Sequence, residues 1–522
     1  MHDVFTQGDG RAKHSWLRIL FSVALFLLVF SYPWNGQTNW MHKNYYWSWS
    51  LADKEWEVLQ DRSYFLVPDS PTYIYFGGWL DPWRAHRSIG YPAFLYPFIY
   101  KERQKFIQAF MNAAKSGIDL FMGTPKPIYN LAEKTGIALR LETIVLVQRL
   151  FLALGIAVFY LSLCRWFPSI YSCAALLAAL WLAPPPDPRF ILTEPLSTAL
   201  TWFCAAFLLF APRSRWQRTC FALACLCASV AYLVRPQTLS LTALCSLIFL
   251  YHIYKYRIHG LCSSFVRASF VFSPLLLAYG YIGWLSIMGG QIFFHTHQNA
   301  YLSPFCYFAE IEDAANMPTE RAKKLTIMYA TRKAELMERA KNGEFQQSFL
   351  ASDASPVRKS ALLGDVIAYS DPFNHEIWRA AVGYLPLIER NILGRELMAG
   401  LRQRHGREMI ANSWRNFLGA LGWYHDVYFL GLLPRATFAI NIFALILSVL
   451  TFAVCPKTRW PLSMMIGIHV IAIISAVVGH FVLGRYVAPT ESLLLVAGMC
   501  SLRELAAMIC EHWNTRAEPK LS

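Results

Sequence analysis

The sequence predicts an all-α polytopic membrane protein, and three observations carry that prediction. Hydrophobic residues make up 55% of the chain and charged ones only 16%, and the mean hydropathy is +0.32, a balance more apolar than that of soluble domains. Apolar runs close to the ~20 residues needed to cross a bilayer recur along the chain. The basic residues in the short connections between those runs gather on one side.

The apolar runs are Ser15–Tyr32, Thr143–Leu163, Ser169–Ala183, Pro195–Ala211, Cys220–Val234, Thr238–Tyr254, Ala268–Ile287, Ala436–Cys455, Pro461–Leu483 and Ala488–Ser501, about ten spans. The first ends in SYPWNGQ without the small-residue pattern of a cleaved signal, so it reads as an anchor. Ile89–Tyr100 holds two prolines and is too short to cross, which places it in the interface. Arg213, Arg215 and Arg218, Lys255 and Arg257, and Lys457 and Arg459 share the side of the termini. The opposite short turns keep only Arg189, Arg235 and Arg485. Both termini are therefore expected in the cytoplasm, with 33–142 and 288–434 outside.

This pattern divides the chain into an N-terminal membrane domain, 1–287, carrying seven spans and an external loop at 33–142. An external helical domain at 288–434 follows, then a C-terminal membrane region, 435–522, with three spans. WMHKNYYWSWSLADKEW at the start of the first loop has the Trp and Tyr density of an interfacial belt. Lys101–Glu142 reads as short amphipathic helices lying on the membrane. In the second region Pro318–Lys341 has helical charge spacing, with Glu335 and Arg339 four apart, and Leu385–Met398 predicts another helix. No strand pattern stands out there.

The net charge of +15 sits in the cytoplasmic connections, whereas region 288–434 is nearly balanced, with 16 basic and 15 acidic residues. That distribution excludes a nucleic-acid groove and leaves membrane lipids as the surroundings. Of the 12 cysteines only Cys306 is placed outside, so no intrachain disulfide forms there, and no CxxC spacing occurs.

Candidate chemistry begins in Val67–Pro92. Asp69 lies between Pro68 and Ser70-Pro71, which holds its carboxylate at a rigid turn, and Arg84 and Arg87 follow in one short loop. Guanidinium groups near an acid at a membrane surface suit a phosphorylated lipid. A proline-rich turn with a solvated Asp explains the stretch equally well. The predicted topology then brings Asp69, Arg87, Glu194, Arg235 and Arg485 to the outer face from distant parts of the chain. Arg189, at a span's outer end, reads as a snorkelling or capping residue. His295 and His297, two residues apart with no carboxylate beside them, are a weak metal signal and read as acceptor-facing or solvated. His480, within an apolar span, reads as a satisfied bundle histidine.

The succession DSPTYIYFG, RSIGYP, LTEPLSTAL, LVRPQ and GRYVAP resembles that of membrane glycosyltransferases of the GT-C superfamily. Within it, the nearest branch is the bacterial relatives of protein mannosyltransferases and of the lipid A aminoarabinose transferase. The resemblance covers 15–287 and 436–500 through short motifs in conserved order. It implies transfer of a sugar from a polyprenyl phosphate, in bacteria undecaprenyl phosphate, to an acceptor hydroxyl outside the cytoplasmic membrane, with inversion. Asp69 matches the family's first-loop acid, the general base. Some relatives carry two adjacent acids there, whereas Ser70 follows Asp69 here, so a second acid would have to be Asp81 or Glu194. Glu194 could instead orient Arg235 or an acceptor hydroxyl, or offset a helix dipole.

Arg87, Arg235 and Arg485, with Arg84 beside them, are the candidates for fixing the phosphate of the leaving group. Asp81, Tyr91, His295 and His297 are candidate acceptor contacts. The acceptor is a glycolipid, a polysaccharide or a protein, and no cofactor or resident metal is expected. Two rivals share these features. A flippase or transporter for a lipid-linked sugar would place charges mid-membrane and show repeated halves, whereas the spans read as nearly free of charge in their middles and no repeat is visible. A polysaccharide polymerase also uses external arginines, and the early Asp with RSIGYP argues against it.

Overall fold

A computed structural model describes residues 15–32, 63–66, 70–74, 88–116, 126–256, 261–290, 292–294, 308–342, 387–421, 434–478 and 484–517, with some side chains in those ranges left out. Asp69, Asp81, Arg84, Arg87, His295, His297, Cys306 and His480 lie outside the described residues, as does the side chain of Arg485.

The helices, in chain order, are α1 (Ser15–Ser31), α2 (Ser70–Ile74), α3 (Gly90–Lys115), α4 (Lys126–Thr135), α5 (Ala138–Leu163), α6 (Ser169–Leu182), α7 (Thr193–Phe210) and α8 (Gln217–Val234). They continue as α9 (Leu239–Tyr256), α10 (Leu261–Phe272), α11 (Leu276–Gly289), α12 (Glu320–Lys341), α13 (Leu387–Ala420), α14 (Pro434–Val454), α15 (Arg459–Val478) and α16 (Gly484–Ala517). Among the described residues β-pairing is confined to one parallel bridge, Phe65 to Phe190.

Among the described residues all ten predicted spans fall on helices, Pro461–Leu483 as far as Val478. Six helical stretches among the described residues are long and apolar enough to cross a bilayer, α14 and α15 pass together as a pair bent by 118°, and α1 and α6 are shorter apolar helices. The chain is thus an all-α polytopic membrane protein. The sequence boundaries need one revision. Gly90–Tyr100 and the amphipathic stretch after it form a single 26-residue helix, α3, that runs through Pro97. Its apolar half is continued by charged residues, so hydropathy divides what the backbone joins. Within 288–434, α12 matches Pro318–Lys341, while α13 runs well past the predicted Met398.

Helix α7 is the centre of the bundle and the most deeply buried of the candidate spans. It packs against α5, α8, α15 and α16. Its closeness to α5 depends on Gly155, where a Cβ would come within 3.1 Å of the Ala199 carbonyl oxygen and 3.3 Å of the Trp202 Cβ. Apolar surface gains little between helices in lipid, so backbone approach at small residues and ring packing hold such pairs. Trp202 supplies the ring packing, edge-on to Phe159 at 4.8 Å.

Candidate active site

Helix α7 begins with Thr193-Glu194-Pro195, after Leu192 in extended conformation, and Glu194 is the acid of its first turn. The carboxylate therefore meets the positive end of the helix dipole. The antiparallel neighbour α8 ends at Val234 because Pro236 disfavours helical geometry in the residue before it. Arg235 accordingly leaves the helix at φ −146°, ψ 106°, with its N–H still donated to the Ala231 carbonyl at 2.7 Å. Acid and base are thus presented by opposite ends of two adjacent helices. They meet, with Arg235 Nη1 3.1 Å from Glu194 Oε1 and both side chains about 5% exposed or less. The Thr193 hydroxyl donates to Glu194 Oε2 at 3.1 Å.

The first-loop motifs dock on these two helix ends. Ser70, which follows Asp69, is buried and donates its hydroxyl to the Ile191 carbonyl at 3.0 Å, three residues before Glu194. The Phe65 N–H donates to the Arg189 carbonyl at 2.8 Å and the Ile191 N–H to the Phe65 carbonyl at 3.1 Å, which fixes the register of the two strands of chain. On the other side Ser88 donates its hydroxyl to the Val234 carbonyl at 2.9 Å. Gly90 lies so close to α8 that a Cβ would fall 2.4 Å from the Leu233 carbonyl carbon. Ser88 and Gly90 of RSIGYP therefore lie against Leu233 and Val234 of LVRPQ, and Ser70, near the start of DSPTYIYFG, lies against Ile191 in the lead-in to LTEPLSTAL.

Tyr91 is fully buried and donates its hydroxyl to Gln148 Oε1 at 2.9 Å. Gln148, from α5, donates its amide to the carbonyls of Pro188, at 2.8 Å, and Phe190, at 3.2 Å. The Tyr73 ring meets Tyr91 edge-on at 5.2 Å. Burial, then Tyr73, then the negative charge of Glu194 push the Tyr91 phenol well above its ordinary acidity range, so Tyr91 stays a neutral donor next to the acid. Gln148 is a buried polar residue that hydropathy reading passes over as part of an apolar run.

Arg189 does not snorkel. It is buried and grips Asp187, with Nη2 2.8 Å and Nε 3.0 Å from Oδ2, while its own N–H donates to Oδ1 at 2.9 Å. Its guanidinium stacks over the Phe65 ring at 4.6 Å. Burial still lifts the Asp187 carboxyl above the usual carboxylate range against the opposing pull of Arg189. This closed pair stiffens the turn that enters α7.

Two further features lie in the C-terminal helices. Helix α15 packs on the Pro236–Thr238 turn that follows Arg235, and the backbone of Arg485 opens α16. Glu491, in the last predicted span, is 2% exposed and accepts from the Asn441 amide at 2.6 Å, while His469 Nδ1 lies 3.0 Å from the Thr490 hydroxyl. Glu491 stands near the start of its span, so the C-terminal helices do hold buried ionisable side chains with polar partners. Among the described residues no cluster of three or more metal-ligating side chains occurs.

No protein-family model and no curated protein matches the chain. Among solved structures, the crystal structure of ArnT from Cupriavidus metallidurans bound to undecaprenyl phosphate aligns with 98% of this chain and 82% of its own. The identity is 14% and the TM-score 0.26.

Proposed function

We propose that the chain is a membrane glycosyltransferase that moves a sugar from a polyprenyl phosphate to an acceptor hydroxyl on the outer face of a bacterial cytoplasmic membrane. The observation that supports this reading is the convergence on the ends of α7 and α8. Residues from four separated segments, Ser70, Ser88, Glu194 and Arg235, gather where one buried acid meets one buried guanidinium. In this reading Asp69 takes the acceptor proton, the acceptor oxygen attacks the anomeric carbon from the face opposite the phosphate, and the electron pair leaves with the phosphate. Arg235, with Arg87, Arg84 and Arg485, fixes that leaving charge in advance. The same reading assigns Asp81, Tyr91, His295 and His297 to the acceptor side, needs no resident cofactor, and divides the chain into 1–287, 288–434 and 435–522 with 288–434 outside.

Comparing glycolipids from cells with and without the gene by mass spectrometry tests the reading. A glycolipid that loses one sugar mass while an undecaprenyl-phosphate sugar accumulates supports it. Identical glycolipid profiles, with glycoproteins and polysaccharides also unchanged, contradict it.

A further inference from the structure

Glu194 and Arg235 form a buried ion pair inside the bundle, and this arrangement bears on how a phosphate would enter. A buried guanidinium needs an anionic or hydrogen-bonding partner at all times, because an uncompensated charge at about 5% exposure is strongly disfavoured. A lipid phosphate arriving at Arg235 would meet a carboxylate already in place, and two anions on one guanidinium repel.

Resting on the transferase reading, we propose that Glu194 is a built-in stand-in for the donor phosphate: it neutralises Arg235 in the empty enzyme and is displaced from it when the donor binds. The local structure suits an exchange. After release from Arg235 the carboxylate keeps the Thr193 hydroxyl on Oε2 and stays on the first turn of α7, where the helix dipole favours negative charge. The acid is thus not left bare. Arg235 stands outside α8 on the Pro236 turn, so its reorientation breaks no helix. The neighbouring Asp187–Arg189 pair has the opposite construction. Its carboxylate is held by two side-chain nitrogens and by the arginine's own backbone N–H, all from a residue two positions along the same turn.

The exchange and a fixed orienting role predict opposite signs. If Glu194 only aims Arg235 at the phosphate, removing its charge weakens donor binding. If Glu194 competes with the phosphate, removing its charge strengthens it, by about tenfold for one like-charge contact in a partly screened site. The test measures binding of undecaprenyl phosphate, undecaprenol and inorganic phosphate to the full-length protein in lipid nanodiscs. It compares wild type with Glu194→Gln and Glu194→Asp. The account expects Glu194→Gln to bind undecaprenyl phosphate about tenfold more tightly and undecaprenol unchanged. Inorganic phosphate should bind far more weakly than the lipid, with the same direction of change.

Glu194→Asp keeps the charge but shortens its reach by one methylene, so a smaller tightening is expected, and it carries the test should Glu194→Gln not accumulate. Equal or weaker binding of undecaprenyl phosphate by both variants overturns the exchange while leaving the transferase reading standing. Undecaprenyl phosphate binding no better than undecaprenol in every form, or inorganic phosphate binding as tightly as the lipid, removes the lipid phosphate as ligand. The transferase reading then falls, and the exchange with it.

Discussion

Two buried acid–arginine pairs lie at the same end of the bundle, and they are built differently. Asp187 and Arg189 are two residues apart, joined by several contacts and backed by the Phe65 ring. Glu194 and Arg235 come from different helices, and Arg235 Nη1 meets Glu194 Oε1 at 3.1 Å where two helix ends adjoin. The first pair is closed by its own turn and fixes the entry of α7. The second depends on the docking of the Ser70 and Ser88 segments and on the packing of α7 against α8. Burial alone therefore does not separate a structural ion pair from a functional one. What separates them is whether the geometry closes locally or is assembled from distant parts of the chain.

The largest effect is expected at the first-loop acid. Asp69→Asn should lower turnover by ~10²–10⁴-fold with donor binding retained, because an amide cannot accept the acceptor proton. Sugar transfer from purified donor in membranes, with protein amount checked alongside, measures this. Near wild-type turnover would leave Glu194 or Asp81 as the acid. Next in size, Arg189→Met should destabilise the protein by roughly 3–5 kcal/mol, since it strands Asp187 in the core. Thermal unfolding in detergent should show the drop, while transfer per folded molecule stays close to wild type.

A smaller effect is expected at the seam between the first loop and α8. Gly90→Ala places a Cβ 2.4 Å from the Leu233 backbone, so α3 must lift from α8. Overpacking of this kind costs about 1–3 kcal/mol. The account expects reduced donor affinity together with a lower melting temperature. A variant with unchanged values for both would mean that the seam does not position the site.

The fold was largely legible in the sequence because every span carries its own hydropathy, so the ten apolar runs reappear as helices without tertiary information. Continuity was less legible. Helix α3 joins an apolar half to a charged one, and no window average reports both. Within the site, Glu194 and Arg235 were recognisable as outer-face charges, and the link between them was one of the readings Glu194 allowed. Gln148 and Glu491 escaped notice because each is one polar residue inside an apolar run, where composition dilutes it. A lone amide or acid in such a run was the available signal, since a bilayer-buried polar group needs a partner. Arg189 was read as facing water because its partner, Asp187, lies two residues away in a stretch that resembles any proline-rich turn.

The measurement that tests the central claim most directly sets Arg235→Lys against Arg189→Lys in a transfer assay with an undecaprenyl-phosphate sugar as donor, normalised to folded protein. Both substitutions keep the charge and lose the planar fork. The account predicts that Arg235→Lys accumulates normally but uses the donor at least about tenfold less well, as loss of bidentate phosphate binding requires. Arg189→Lys should accumulate poorly and transfer normally per folded molecule. Normal donor use by Arg235→Lys, with the defect appearing in Arg189→Lys instead, would contradict the assignment of the phosphate site to the ends of α7 and α8.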